Sequence, residues 1–119
     1  ILNDKSKNII IDDTINGTKV RFQKVDGLPP KELRKLVDDG KKQLSEGIVI
    51  VFANQEDKVG VAVGVTDKLT SKYDSVNFVK LGSEIIGGTG GGGRKDFAQA
   101  GGQDHTKIEE AFEKLKSLI

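Results

Sequence analysis

Three isoleucines, Ile9, Ile10 and Ile11, begin a strand-like run. Asn16-Gly17 turns it, because both residues tolerate the positive φ that a two-residue hairpin demands. The return strand spans Thr18 to Val25, with Val20, Phe22 and, at its end, Val25 facing inward and Lys19, Arg21 and Gln23 on the other face. Asp26-Gly27-Leu28-Pro29-Pro30 stops this strand and launches a helix, since proline is tolerated in a first turn. Leu33, Leu36, Val37 and Leu44 fall on one helical stripe, Gly40 interrupts it at a cost of about 1 kcal/mol relative to alanine, and Ser45-Glu46-Gly47 closes it. Ile48 to Ala53 is short, β-branched and apolar on both faces, as a central buried strand should be. After the polar loop Asn54 to Asp57, Lys58 to Val65 alternates valine with glycine or alanine. One face of that strand packs conventionally and the other admits the close approach of a helix or a backbone. A further helix runs from about Ser75 to Ile86, with Phe78, Val79, Leu81, Ile85 and Ile86 as its apolar side. A glycine segment follows, then a short strand at Phe97 to Ala100. A last helix, roughly Thr106 to Leu118, carries Ile108, Ala111, Phe112, Leu115 and Ile119 on one face. This order predicts an α/β domain in two or three layers, a mixed sheet of about five strands with three helices packed on it.

Length and composition narrow the picture. At 119 residues, 35% apolar and 31% charged, the chain is a single globular domain. It has no cysteine, which removes disulfides, thiol catalysis and cysteine-ligated zinc. It has no methionine, even at position 1, which points to a piece of a longer gene product. The longest apolar run, Ile48 to Ala53, is far short of a membrane span, and the first eight residues lack a signal-peptide pattern. No membrane partner and a cytoplasmic location are expected.

Candidate catalytic groups are few. The single histidine, His105, stands at the start of the last helix, where a cap or first-turn role accounts for it. The carboxylate pairs Asp12-Asp13, Asp38-Asp39, Glu56-Asp57 and Glu109-Glu110 are adjacent residues whose side chains point apart, which suits solvated faces rather than metal or acid–base pairs. No catalytic residue and no metal ligand is assigned.

The glycines carry more information. Seven of the fifteen lie between residues 87 and 101. Gly88, Gly90 and Gly93 satisfy the dinucleotide-binding pattern G-x-G-x-x-G, but a helix rather than a strand precedes them. A phosphate-binding P-loop is nearly spelled too, with Arg94 where its lysine must stand. Four consecutive glycines, Gly90, Gly91, Gly92 and Gly93, predict a loop whose free N–H groups form a concave nest for an anion, with Arg94 and Lys95 at its rim. Charge adds a modest signal. The chain is +1 overall, yet residues 19–42 hold eight Lys or Arg against four acids, leaving the remainder at −3. The hairpin and first helix therefore offer a basic surface, including Lys19 and Arg21, for phosphates or for solvent.

The string Gly87-Gly88-Thr89-Gly90-Gly91-Gly92, followed by Asp96-Phe97-Ala98-Gln99-Ala100-Gly101-Gly102, resembles the signature that closes alanyl-tRNA synthetases, in their DHH-associated domain. The likeness extends over nearly the whole chain. Ile15-Asn16-Gly17-Thr18-Lys19-Val20 resembles the family's entry hairpin, Leu33-Arg34-Lys35-Leu36 its first helix, Gly47-Ile48-Val49-Ile50-Val51 its central strand, and Gly64-Val65-Thr66-Asp67-Lys68-Leu69-Thr70 the segment after the next strand. Gly93 lengthens the glycine run by one, Lys95 stands where proline is usual, and Ser75-Val76 replaces a frequent Ala-Gly.

The resemblance implies a division into residues 1–8, the tail of a preceding helical stalk, and residues 9–119, a non-catalytic C-terminal tRNA-binding domain. It implies that this domain contacts the elbow of the tRNA for alanine and supports aminoacylation and editing by the other domains, with a possible homodimer through the stalk. It implies no cofactor in the domain itself, ATP, magnesium and zinc belonging to the parent enzyme. On this reading Gly88, Gly90, Gly91, Gly92, Gly93, Arg94 and Lys95 would contact RNA, Gln99, the polar side chain of the following strand, would add a hydrogen bond, and Lys19 and Arg21 of the basic hairpin would supply charge. Two other readings stay open: the substrate-binding half of a DHH phosphoesterase acting on oligonucleotides or cyclic dinucleotides, and a dimerisation module.

Overall fold

A computed structural model describes residues 9–27, 32–55, 58–88 and 90–119. The expected stalk tail, the Pro29-Pro30 helix start and the tip of the loop at 56–57 lie outside them. Six strands, β1 Ile9–Ile15, β2 Thr18–Asp26, β3 Ile48–Gln55, β4 Lys58–Val65, β5 Gly90–Gly93 and β6 Phe97–Gly102, form one mixed sheet in the order β1-β2-β3-β4-β6-β5. Helix α1 (Leu33–Leu44) covers one face, and α2 (Ser75–Ile85) with α3 (Ile108–Lys116) covers the other, giving three layers. The β1–β2 hairpin turns at Asn16 (φ 51°) and Gly17 (φ 82°), as a tight turn with two positive φ values requires. β2 and β3 are parallel, so the chain must cross over, and α1 is that crossover.

Each strand divides its side chains between the two cores. On the α2–α3 side Val20, Phe22, Ile50, Phe52, Val61 and Val63 meet Phe78, Val79, Ile108 and Leu115. Phe112 closes this core against Phe22 and Phe52, with ring centroids 5.1 Å away in both cases. On the α1 side Val49, Val51 and Ala62 meet Leu33, Val37 and Leu44. The valine–glycine alternation of β4 has the expected consequence: Gly60 and Gly64 lie under Leu33 and Val37, and an added Cβ at Gly64 would come within 2.3 Å of Val37 Cγ1.

The expected mixed sheet with three helices is found, with one strand more than about five because Gly90–Gly93 is paired instead of looped. Three finer expectations need correction. Val25 faces inward but on the α1 side, opposite Val20 and Phe22, since strand residues of odd and even number project to opposite faces. In α1 the buried stripe is Leu33, Val37, Gly40 and Leu44, and Leu36 is only half buried. Gly40 occupies that stripe because its missing side chain leaves room for Val49, 2.9 Å from where a Cβ would lie. In α2 the sheet-facing stripe is Ser75, Phe78, Val79, Gly82 and Ser83, while Leu81 and Ile85 are half buried at its flank. Small residues, which carry no hydrophobic signal, let α2 sit close to the sheet.

Candidate nucleic-acid interface

β5 is an edge strand whose only neighbour is β6, in the register Gly90↔Gly101, Gly91↔Ala100, Gly92↔Gln99 and Gly93↔Ala98. The expected anion nest is therefore an extended strand. The alanines and glycines of β6 leave room for a side-chain-free partner, and ladder hydrogen bonds fix what a lone glycine loop would leave open. A Cβ at Gly91 would lie 2.5 Å from Ala100 Cβ, and one at Gly93 would lie 2.8 Å from Ala98 Cβ. Gly92 differs: nothing stands within 4 Å of its would-be Cβ. Among the described residues no strand lies beside the outer edge of β5, whose backbone N–H and C=O groups face outward.

Arg94 and Lys95 occupy the turn from β5 to β6, which is tied down through its backbone. Arg94 N–H donates to the Phe97 carbonyl (2.7 Å), Ser75 N–H to the Lys95 carbonyl (3.0 Å) and Val65 N–H to the Asp96 carbonyl (3.0 Å). Both side chains are exposed, and neither has a carboxylate partner among the described residues. The backbone is thus held rigidly while the two cations project into solvent.

The other expected contact residues divide. Gln99 stands opposite Gly92 on the α1 side of the sheet, half buried. Lys19 is exposed on the same side of the sheet, at the end where the 94–96 turn also sits. Gly90 lies at the far end of β5, about 10 Å from Gly93 at strand spacing, and Gly88 precedes the strand. Gly88 is half buried and packs against Gly101 and Ser83. Arg21 is already engaged: its Nε and Nη2 donate to the two oxygens of Asp12 (2.8 and 3.0 Å), and Nη1 donates to Gln43 Oε1 (2.5 Å). Those bonds hold the Asp12 carboxyl below the usual carboxylate range and raise the guanidinium above its own.

The lowered Asp12 carries a sign for pH. Its stabilising contribution is present above the unfolded carboxylate pKa of about 3.9 and is lost as pH falls through the lower folded value. With Asp12 half exposed, solvent screening holds the effect to under about 1 kcal/mol. Arg21→Ala should therefore lower stability slightly at pH 7, and denaturant titrations at pH 3 should show that gap narrowed.

None of the six aromatic rings is exposed. Phe97, the one nearest the cationic turn, is half buried and has the Arg34 guanidinium 5.1 Å from its ring centre. Base stacking therefore has no open aromatic platform here. Among the described residues no group of three or more His, Cys, Asp or Glu could hold a metal ion, and no helix is long and apolar enough to cross a membrane. His105 is exposed in a short 3₁₀ turn, and the cap of that turn is Asp104, whose carboxylate accepts from the N–H and the hydroxyl of Thr106. Those bonds, the hydroxyl first, lower the Asp104 pKa.

Comparison with known proteins gives a consistent picture. The DHHA1 domain matches residues 17–119. An alanine–tRNA ligase of Parvibaculum lavamentivorans is 48% identical over 104 residues, 87% of this chain and 12% of that protein. The alanine–tRNA ligase of Bradyrhizobium diazoefficiens is 45% identical over 106 residues, 88% of this chain and again 12% of that protein. The chain thus spans about an eighth of the length of the curated relatives it matches. Among solved structures, the C-Ala domain of Aquifex aeolicus alanyl-tRNA synthetase superposes with a TM-score of 0.85 at 26% identity, over 91% of this chain and 96% of that one. A DHH-domain protein described as a member of the s1p family of ribosomal proteins shares the fold, with a TM-score of 0.57 at 20% identity over 91% of this chain and 27% of its own.

Proposed function

The chain belongs to the DHHA1 domain family, and from that premise we propose that it is the non-catalytic C-terminal part of a cytoplasmic alanine–tRNA ligase, positioning the tRNA for the enzyme's other domains. The observation that carries this reading is the turn at Arg94-Lys95. Two exposed cations, without carboxylate partners among the described residues, are held by a fixed backbone at the end of an edge strand in which Gly92 has open space. Similarity to alanine–tRNA ligases and to a C-Ala domain supplies the biological setting.

In this mechanism the outer edge of β5 approaches the RNA backbone near the tRNA elbow, where Gly92 lets a phosphate or ribose come close to the main chain. Arg94 and Lys95 neutralise adjacent phosphates. Such contacts fix orientation without reading bases, so the identity of the alanine tRNA is read by other parts of the enzyme. The benefit to aminoacylation and editing is effective concentration, because one tethered contact raises the occupancy of every other.

The test is a titration of the 119-residue chain with an unmodified alanine-tRNA transcript over a range of salt. Arg94→Ala with Lys95→Ala should weaken binding and lower the salt slope, the dependence of log K on log salt, by about 2, one for each phosphate no longer neutralised. A transcript lacking its elbow should bind as weakly to the wild type as the whole transcript binds to the variant. Equal affinities for wild type and double variant at every salt concentration would remove this turn from the interface.

A further inference from the structure

The Arg94-Lys95 turn does not stand alone at its end of the sheet. Lys41, in the last turn of α1, donates from Nζ to the Asp96 carbonyl at 3.0 Å, so α1 reaches across to the β5–β6 turn. Beside it an open groove lies between the C-terminal end of α1 and the short 3₁₀ turn Asp67–Leu69, lined by Lys41, Lys42, Ser45, Glu46, Thr66, Asp67 and Lys68. Its floor is rigid: Gly47 N–H donates to Thr66 Oγ1 at 3.0 Å, and Thr66 N–H donates to the Gly47 carbonyl at 3.1 Å. Gly47 in turn touches Lys19, whose backbone oxygen and Cβ lie 2.7 and 3.2 Å from where a Gly47 Cβ would be. Segments remote in sequence, at 19, 41–42, 68 and 94–95, thus meet along one end of the molecule.

Arg21, Lys24, Arg34, Lys107 and Lys116 are each paired with a carboxylate within 4.0 Å. Lys35, Lys58, Lys72, Lys80 and Lys114 have no such partner among the described residues, and neither have Lys19, Lys41, Lys42, Lys68, Arg94 and Lys95. What marks this end is that six unpaired cations converge there. Residues 19, 41–46, 66–68 and 94–96 together hold these six cations and three carboxylates, Glu46, Asp67 and Asp96, a balance of 6 − 3 = +3 within a chain of +1. Unpaired like charges held together on rigid backbone repel one another, and a polyanion relieves that repulsion.

We propose that the groove between α1 and the 67–69 turn is a second phosphate-binding shelf, in which Lys42 and Lys68 hold the RNA backbone as it leaves the Arg94-Lys95 turn. The shelf rests on the reading of the chain as an RNA-positioning domain and extends it. The path runs from the outer edge of β5, over the turn, and along the end of the sheet to α1. Lys41 is the positioning residue of this path, because its ammonium is engaged with the Asp96 carbonyl and sets the distance between the two cation groups. Glu46 and Asp67 border the shelf, which favours a single phosphodiester strand threading between them over a flat duplex face.

The experiment compares salt slopes for the alanine-tRNA transcript. Lys42→Ala with Lys68→Ala should reduce the slope by about 2, with thermal unfolding unchanged. Lys42→Arg with Lys68→Arg should keep it. Lys35→Ala with Lys58→Ala, unpaired exposed lysines at the opposite end, should have no effect. A wild-type slope in the Lys42/Lys68 alanine variant, with the Arg94/Lys95 variant still impaired, overturns the shelf and leaves the main reading standing. Wild-type protein that binds no RNA at low salt overturns both.

Discussion

Replacing Gly64 by valine is expected to lower the unfolding free energy by about 3 kcal/mol, the upper end of what overpacking a core costs. A Cβ at this position would already sit 2.3 Å from Val37 Cγ1 and 3.0 Å from Lys41 Cδ. Val37 is fully buried, and a β-branched side chain in a helix has one strongly preferred rotamer, so it cannot swing aside. The only relief is for α1 to lift from the sheet, which opens the second core around Leu33, Val49, Val51 and Ala62. Urea unfolding should show a lower midpoint at unchanged m-value, because the surface exposed on unfolding stays the same. A loss below about 1 kcal/mol would mean that α1 does not pack where β4 lacks side chains.

Within the glycine-rich stretch the expected effects split sharply. Gly88→Ala should cost about 3 kcal/mol, because its Cβ would fall 1.8 Å from the Gly101 carbonyl oxygen and 2.4 Å from Ser83 Oγ. That oxygen already accepts from the Ser83 hydroxyl at 2.7 Å, and Gly88 N–H donates to the Ser83 carbonyl at 2.7 Å. The new methyl group therefore meets fixed backbone, and β6 must move off the end of α2. Gly92→Ala meets open space and, by restricting the unfolded chain, should raise stability by roughly 0.5 kcal/mol. Thermal unfolding separates them: Gly88→Ala should melt roughly 10 °C lower, and Gly92→Ala a degree or two above wild type. Equal melting temperatures would show that the Gly88 contact with β6 is slack. If the RNA backbone approaches at Gly92, its methyl group should instead appear as weaker tRNA binding.

The parts of this fold legible in the sequence are those where side-chain chemistry and local geometry coincide. Asn16-Gly17 announces its turn because few other pairs accept two positive φ values. The valines and glycines of β4 announce a helix-facing side because only a close neighbour explains alternate positions without bulk. The sixth strand was not legible. Glycine has no strand preference, and Gly90–Gly93 is extended because of the strand beside it, a non-local cause. Nor does periodicity show that Ser75, Gly82 and Ser83 are the buried side of α2. The candidate site was visible as residue types at Arg94 and Lys95, whereas Arg21 looked equally available until Asp12 and Gln43 were found around it. The shelf of Lys42 and Lys68 has no sequence signature, because its members are brought together only by the crossover of α1 and the turn after β4.

The all-glycine edge strand has one more consequence. Glycine gives up more conformational freedom on ordering than any other residue, roughly 0.5–1 kcal/mol relative to alanine in a strand. Four in succession make β5 the strand with the largest ordering cost per residue and with no side chains of its own to bury. It is the natural first unit to open in the native state, while β2, β3 and β4 stay closed around the two cores. Its backbone amides should then exchange with solvent deuterium well before those of β3. If a polyanion binds along β5 as proposed, it should slow that exchange, and the ligand would complete the order of the strand it meets.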